Sequence, residues 1–422
     1  MKEFDAIIGY EDEKLELERI CDIMRNPEKY HKLGVKTPRG LLIDGVPGTG
    51  KTLMAKCLIK ASGRKAFTIR KTMPNGDFVT EIKRVFDEAK ASAPSIVFLD
   101  DMDKYANEDR IHINAEEFVT IQSCLDDCKD VEVFALATTN DTACIPDSLL
   151  RAGRFDKSID VVPPKYKDAV KIIKFYLSQK NFVAELDVEE IAKILDGKSC
   201  AELETVINEA GVYAGFAGKD KIDMDDMIKA CLRVIFDSPE AVNCEGDFVE
   251  EVAYHEAGHT VVHEILEPGT INLVSVASYN GSIGGITSYF QDKNYFKSKK
   301  YMENRVTSIL GGRSATELVY GTVDVGANSD LHRAFNIVER FVDNYCSFGF
   351  DTFEGSNSGP DLLNRKDLAM AREMEKYSRE SKRILIENRE FLDAVAKALV
   401  EKKTLRHKDI VAIKEKLVKE AA

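Results

Sequence analysis

Residues 45–52 read Gly45-Val46-Pro47-Gly48-Thr49-Gly50-Lys51-Thr52 and fit G-x-x-x-x-G-K-[ST] without a gap. Upstream, Leu41-Leu42-Ile43 is a short apolar strand candidate; downstream, an apolar helical pattern begins at Thr52. Glycines let successive backbone N–H groups turn inward around phosphates, and the helix that follows adds the positive end of its dipole. Lys51 is placed to reach the β- and γ-phosphates of ATP, and Thr52 to ligate Mg2+. A plain surface loop can also be glycine-rich, but it does not need a strand before it and a helix after it.

Further along, Ser95-Ile96-Val97-Phe98-Leu99 is a second buried strand that ends in Asp100-Asp101. At that position Asp100 is predicted to hold Mg2+, directly or through water, and Asp101 to face the attacking water. Residues 131–137 (VEVFALA) form a third strand, followed by Thr138-Thr139-Asn140, where Asn140 is placed to orient the same water. Arg151 and Arg154 follow in Leu149-Leu150-Arg151-Ala152-Gly153-Arg154-Phe155-Asp156. A guanidinium there stabilises charge spreading over a γ-phosphate, and in oligomeric ATPases it comes from the neighbouring subunit. Strands alternating with helices imply an α/β fold with a mostly parallel sheet, and each polar cluster falls at the carboxyl end of a strand, where such sheets bind ligands.

Pro163-Pro164 closes this first module, residues 1–163. Residues 164–238 read as a small all-α subdomain without a convincing strand. A linker around Pro239 and Gly246 then leads into a mainly helical region, residues 239–422. Within it, residues 272–276 and 284–289 read as short strands, and residues 350–360 as a loop. A chain of 422 residues is long enough for two or three such domains. Its net charge of -13 argues against a nucleic-acid partner. The nine cysteines form no C-x-x-C pair, which suits a reducing compartment. Met1-Lys2-Glu3-Phe4-Asp5 has no apolar signal core, and no run approaches the roughly 18–20 apolar residues of a spanning helix. The expected location is cytoplasmic.

The helical region contains Tyr254-His255-Glu256-Ala257-Gly258-His259, an H-E-x-x-H pattern. On a helix His255 and His259 share one face and can hold one Zn2+, with Glu256 beside them as general base toward a water. His263 continues the spacing but lies about 12 Å of helix rise beyond His255, too far to share the ion, so packing is the expected role. The third ligand must come from downstream, and spacing leaves Asp324, Asp330 and His332 open.

These motifs, with Gly197-Lys198-Ser199-Cys200-Ala201-Glu202-Leu203, Leu310-Gly311-Gly312-Arg313-Ser314-Ala315 and Gly326-Ala327-Asn328-Ser329-Asp330, resemble the FtsH family of membrane-anchored AAA zinc proteases from Phe4 to about Lys414. The resemblance implies an AAA+ parallel-sheet ATPase with a small all-α lid, followed by a mainly α-helical zinc metalloprotease domain. It selects Asp330 as third ligand. It implies a homo-hexameric ring that uses ATP to unfold, thread and degrade unfolded or loosely folded proteins, with an edge strand near residues 284–289 on which substrates lie. Three features depart from the family. The chain begins where the ATPase module begins, so membrane association is expected only if an anchor precedes it. Asp101 stands where the family has glutamate, which predicts ordinary ATP affinity with slow turnover. The pore-loop segment Met73-Pro74-Asn75-Gly76 keeps Gly76 but has Met73 in place of an aromatic residue. The alternative expectation is an ATP-binding ring scaffold or remodeller with an accessory zinc peptidase and weak ATP hydrolysis.

Overall fold

The computed structural model describes residues 2–72, 75–106, 115–151, 153–238, 248–277, 284–290, 298–322, 325–345 and 360–421. The chain divides into two compact units, Met1–Val188 with Leu195–Ala230, and Glu189–Ile194 with Cys231–Ala422.

The first unit is built on five strands: β1 (Gly40–Asp44), β2 (Lys65–Ile69), β3 (Ser95–Leu99), β4 (Val133–Thr138) and β5 (Lys157–Asp160). All pairings are parallel, in the order β2-β3-β4-β1-β5. The three central strands are buried almost throughout, which is why they are legible as unbroken apolar runs. The two edge strands, Lys-Ala-Phe-Thr-Ile and Lys-Ser-Ile-Asp, are largely solvent-facing and polar, and the apolar pattern does not predict them. Helices α1 (Glu11–Arg25), α2 (Pro27–His31), α3 (Lys51–Ser62), α4 (Asn75–Ala91) and α5 (Ala115–Asp127) accompany the sheet. Phe78, Ile82 and Phe86 of α4, with Ile121 and Leu125 of α5, form a core with Val97, Leu99 and Ala137. Cys124 and Cys128 are free thiols in that core.

Helices α6 (Tyr166–Ser178), α7 (Val188–Ile194), α8 (Cys200–Phe216) and α9 (Met224–Phe236) come next. A capping box starts α8: Ser199 Oγ accepts from the Glu202 N–H while the Glu202 carboxylate accepts from the Ser199 N–H at 2.7 Å.

In the second unit α10 (Phe248–Leu266) is surrounded by α11 (Lys299–Ile309), α12 (Gly311–Tyr320), α14 (Pro360–Glu387) and α15 (Arg389–Lys402), with α13 (Asn328–Asp343) and α16 (His407–Ala421) outside them. Ala253, Ala257, Val261 and Val262 of α10 share a core with Leu392, Val395 and Leu399 of α15. A three-stranded antiparallel sheet of β6 (Ile271–Ser275), β7 (Ile286–Tyr289) and β8 (Thr404–Arg406) has the order β7-β6-β8. The strand expected over residues 284–289 thus starts two residues later, and β8, only three residues long, gives no periodic signal. The expected linker at Pro239 and Gly246 and most of the expected loop at 350–360 lie outside the described residues. Among the described residues no helix is long and apolar enough to cross a membrane.

Where α10 meets α12, Gly258 faces Gly311 backbone to backbone. A Cβ on Gly258 would stand 2.3 Å from the Gly311 carbonyl oxygen, and one on Gly311 would stand 2.5 Å from the Gly258 carbonyl oxygen. Backbone cannot yield as a side-chain tip can, so any methyl here must push the helices apart. Gly311→Ala is expected to cost about 1–3 kcal/mol of stability, the usual range for overpacking. A guanidinium unfolding curve with an unchanged midpoint would show that the helices are not in such close contact.

Candidate nucleotide site and metal centre

The loop between β1 and α3 has left-handed backbone at Gly48 (φ 80) and Gly50 (φ 96). Side chains rarely adopt that conformation, so glycine is required. The loop is also packed tightly: a Cβ on Gly45 would lie 2.1 Å from the Val161 carbonyl oxygen. Lys51 is buried at the start of α3, and its ammonium donates to the carbonyls of Gly45 (2.7 Å) and Val46 (2.9 Å). Burial pushes its pKa below the ordinary lysine value, against the opposing pull of Asp101, Asp103 and Asp44. A buried cation bonded to loop carbonyls, beside turned-in amides, suits a phosphate chain. Pro47, Thr49, Thr52, Asp101 and Asn140 line the same cleft of about 540 Å³, together with Cys200 from the start of α8. The Ala201 N–H donates to the Gly48 carbonyl at 3.0 Å, which ties α8 to the loop.

Asp100 is buried at the end of β3. One of its oxygens accepts from Thr52 Oγ1 (3.2 Å) and Thr138 Oγ1 (2.8 Å), and the other pairs with the Arg70 guanidinium. Burial alone would raise the carboxyl pKa, but Arg70, Thr138 and Thr52 outweigh it and hold the group below the usual carboxylate value. Asp101 has left-handed backbone (φ 53), and its carboxylate meets Lys104 Nζ at 2.6 Å. The Asn140 N–H donates to Asp103 at 3.1 Å.

Arg151 and Arg154 do not line this cleft. Arg151 is exposed. Arg154, expected to be available to a neighbouring subunit, is engaged in its own: Nε and Nη2 reach the Asp126 carboxylate of α5 at 3.1 and 2.8 Å, and Nη1 bonds the Ser148 carbonyl. That bidentate pair holds Asp126 down to about 2. Gly76 is exposed in the first turn of α4, and Met73 lies outside the described residues.

In the second unit α10 presents His255 and His259 on one face, and α13 brings Asp330 to them. His255 Nε2 and His259 Nε2 are 3.0 Å apart, and the Asp330 Oδ2 atom is 3.1 and 3.0 Å from them. Donors about 2 Å from a shared tetrahedral ion stand roughly 3.3 Å from one another, so this triangle has the size of a zinc ligand set. The His259 Nδ1 lies 2.9 Å from the Ser308 carbonyl, which can only accept, and 3.3 Å from the Gly312 N–H; the shorter contact favours the tautomer with its proton on Nδ1, which leaves the Nε2 lone pair for a metal. The far oxygen of Asp330 pairs with Arg333. Burial would raise the Asp330 carboxyl, but His255, His259 and Arg333 hold it far below the carboxylate range. Gly312 faces the donors, and a Cβ there would lie 2.5 Å from His255 Nε2, so glycine keeps this space open.

Of the three open third-ligand candidates, Asp330 joins the histidines, His332 is exposed elsewhere on α13, and Asp324 lies outside the described residues. His263 packs as expected: it stacks on Tyr289 (centroids 4.5 Å apart) and shares a 2.8 Å hydrogen bond with Thr270. Burial, with Arg305 and His259 nearby, pushes its pKa down to about 4, so it is neutral near pH 7. Glu256 faces a cleft of about 800 Å³ shared with the metal donors and β7, and its Oε2 accepts from Thr287 Oγ1 at 2.7 Å. Arg70, Thr138, Thr287 and Arg333 are site residues that the sequence motifs do not flag. Thr138 carried a positional hint, being the first residue after the third apolar run.

A parallel-sheet nucleotide module and a His-His-Asp metal centre on one chain define a class, an ATPase joined to a metallopeptidase. The comparisons agree. Residues 41–162 match the ATPase family associated with various cellular activities (AAA), and residues 247–413 match peptidase family M41. The chain is 30% identical to the ATP-dependent zinc metalloprotease FtsH 2 of Thermoanaerobacter sp. (strain X514), over 98% of this chain and 82% of that protein. It is 32% identical to the ATP-dependent zinc metalloprotease FtsH of Caldicellulosiruptor bescii, over 95% of this chain and 70% of that one. The FtsH protein of Aster yellows witches'-broom phytoplasma is 31% identical over 96% of this chain, which spans 63% of that relative's length. The chain belongs to the FtsH family of AAA zinc metalloproteases.

Asp330→Ala is expected to lose bound zinc after dialysis, while His332→Ala retains it at wild-type stoichiometry. Metal analysis of the two variants checks this, and the opposite order would transfer the ligand role to His332.

Proposed function

We propose that the chain is an ATP-dependent zinc endopeptidase that acts on unfolded or loosely folded proteins. The observation that carries this reading is the convergence of His255, His259 and Asp330 on one point, with Glu256 facing the same cleft beside the edge strand β7. His255, His259 and Asp330 would hold Zn2+, which when bound polarises the scissile carbonyl and makes water a better nucleophile. Glu256 takes a proton from that water as it adds to the carbonyl carbon, then delivers it to the departing amine. The bond from Thr287 fixes Oε2 and leaves Oε1 for the proton. A substrate lying along β7 would bind through main-chain hydrogen bonds, which are indifferent to its sequence.

In the nucleotide cleft the 45–50 loop and Lys51 cradle the phosphates of ATP, Thr52 and Asp100 hold Mg2+, and Asp101 with Asn140 positions the attacking water. We assign Arg151 the role of reaching a neighbouring subunit's nucleotide, in a ring that is a hexamer by family analogy. Arg154, pinned to Asp126, shapes the loop that presents it. A monomeric mass in solution with ATP and full activity would refute the ring. The modules proposed are 1–163, 164–238 and 239–422.

Glu256→Gln should abolish casein cleavage while zinc content is unchanged; near-normal proteolysis by that variant would overturn the assignment. Asp101 is one methylene shorter than glutamate and is drawn toward Lys104, which favours slow hydrolysis, since misplacement of about 1 Å can cost on the order of 100-fold. Asp101→Glu should therefore raise ATP turnover at unchanged nucleotide affinity. Equal or lower turnover would mean that the site is built around aspartate.

A further inference from the structure

Arg70 follows the last residue of β2, and its guanidinium sits on the Asp100 oxygen that neither Thr52 nor Thr138 uses. The carboxylate is almost wholly buried, at 3% side-chain exposure, while the Arg70 side chain is 58% exposed. Without a cation nearby a buried carboxylate is costly, and Arg70 supplies that cation from within the chain. A magnesium ion held by Thr52 and Asp100 would place two cations, the dication and the guanidinium, on the same carboxylate, in a partly desolvated site where like charges repel strongly. The arginine is the partner able to leave, because most of its side chain already lies in water. The next residue, Lys71, is tied separately, with its ammonium 3.6 Å from the buried Glu117 of α5. The chain leaving β2 is therefore held by two ion pairs, one of them on the magnesium aspartate.

We propose that Arg70 is an internal competitor of magnesium at Asp100, so that loading Mg2+–nucleotide breaks the Arg70–Asp100 pair and releases the end of β2. This rests on the nucleotide-site reading above. By linkage, whatever magnesium does to the ion pair, the ion pair does to magnesium affinity. Removing Arg70 must then make magnesium bind more tightly without altering metal-free nucleotide binding. If Arg70 instead contacted a phosphate, its removal would weaken nucleotide binding with and without magnesium.

The test uses the full chain and a fluorescent ADP analogue, titrated first in EDTA and then at rising MgCl2. Arg70→Ala is expected to lower the Mg2+ midpoint about fivefold or more, the lower end of typical coupling, with the EDTA affinity unchanged. Arg70→Lys, which keeps a cation, should stay near the wild-type midpoint. Asp100→Asn serves as the control for the underlying reading and should raise the midpoint strongly. A wild-type midpoint in Arg70→Ala, with Asp100→Asn impaired, would overturn the competitor role alone. Weaker binding of the analogue by Arg70→Ala in EDTA would likewise overturn it, in favour of a phosphate contact. If wild type bound the analogue equally in EDTA and Mg2+ and Asp100→Asn changed nothing, the nucleotide-site reading itself would fall, and this proposal with it.

Discussion

The second unit depends on two peptide backbones touching. Helices with ordinary side chains between them keep their axes 8–10 Å apart. Gly258 and Gly311 remove the side chains on both sides, so α10 and α12 come together backbone to backbone. That approach sets the other spacings at the metal centre. It lets Gly312 face the donor atoms of His255 and His259, and it brings the Ser308 carbonyl, at the end of α11, within reach of the His259 ring. A fourth glycine, Gly285, does the same from the side of the sheet, since a Cβ there would lie 2.3 Å from Glu256. The metal donors and the proposed base are thus confined by main chain, which has no rotamers to adopt. A site held in this way loses little entropy on binding its ligand.

The first unit is organised around a single carboxylate. Asp100 collects a threonine from α3, a threonine from β4 and an arginine from the end of β2, so three elements are registered against one buried charge. The next residue takes a left-handed backbone, its N–H accepted by Thr138 Oγ1 at 2.9 Å. Four groups drawn from different parts of the chain therefore share one small polar network inside an apolar sheet. Such a network is stable only when every member is satisfied, which makes it sensitive to an arriving ion.

How far the sequence reveals this follows from where each signal resides. The phosphate loop and H-E-x-x-H are legible because their chemistry is local: a few adjacent residues on a turn or one helix face carry it. The central strands are legible because burial on both faces makes them continuously apolar. Strands β2, β5 and β8 are hidden because the edges are polar or only three residues long, and pairing with a neighbour, not their own composition, makes them strands. Asp330 lies 75 residues from His255, and only resemblance distinguishes it from His332. Arg154 reads as free because its partner, Asp126, is on a helix 28 residues earlier. Arg70 has no motif at all, and its meaning appears only once β2 is laid beside β3.

The hydrogen bond from Ala201 to the phosphate loop has a mechanical corollary. It lies at the first turn of α8, a helix of 17 residues and so roughly 25 Å long. Leu203, Val206, Ile207, Ala210 and Ala214 are buried along its length, so the helix can tilt only together with what it packs against. A tilt of about ten degrees at the loop, too small to break the capping box, would sweep the far tip through roughly 4 Å at that length. The residue at that tip is Phe216, with 95% of its surface in water. The phosphate loop and an exposed aromatic ring therefore lie at the two ends of one helix, which the Ala201 amide and the Cys200 thiol join to the loop.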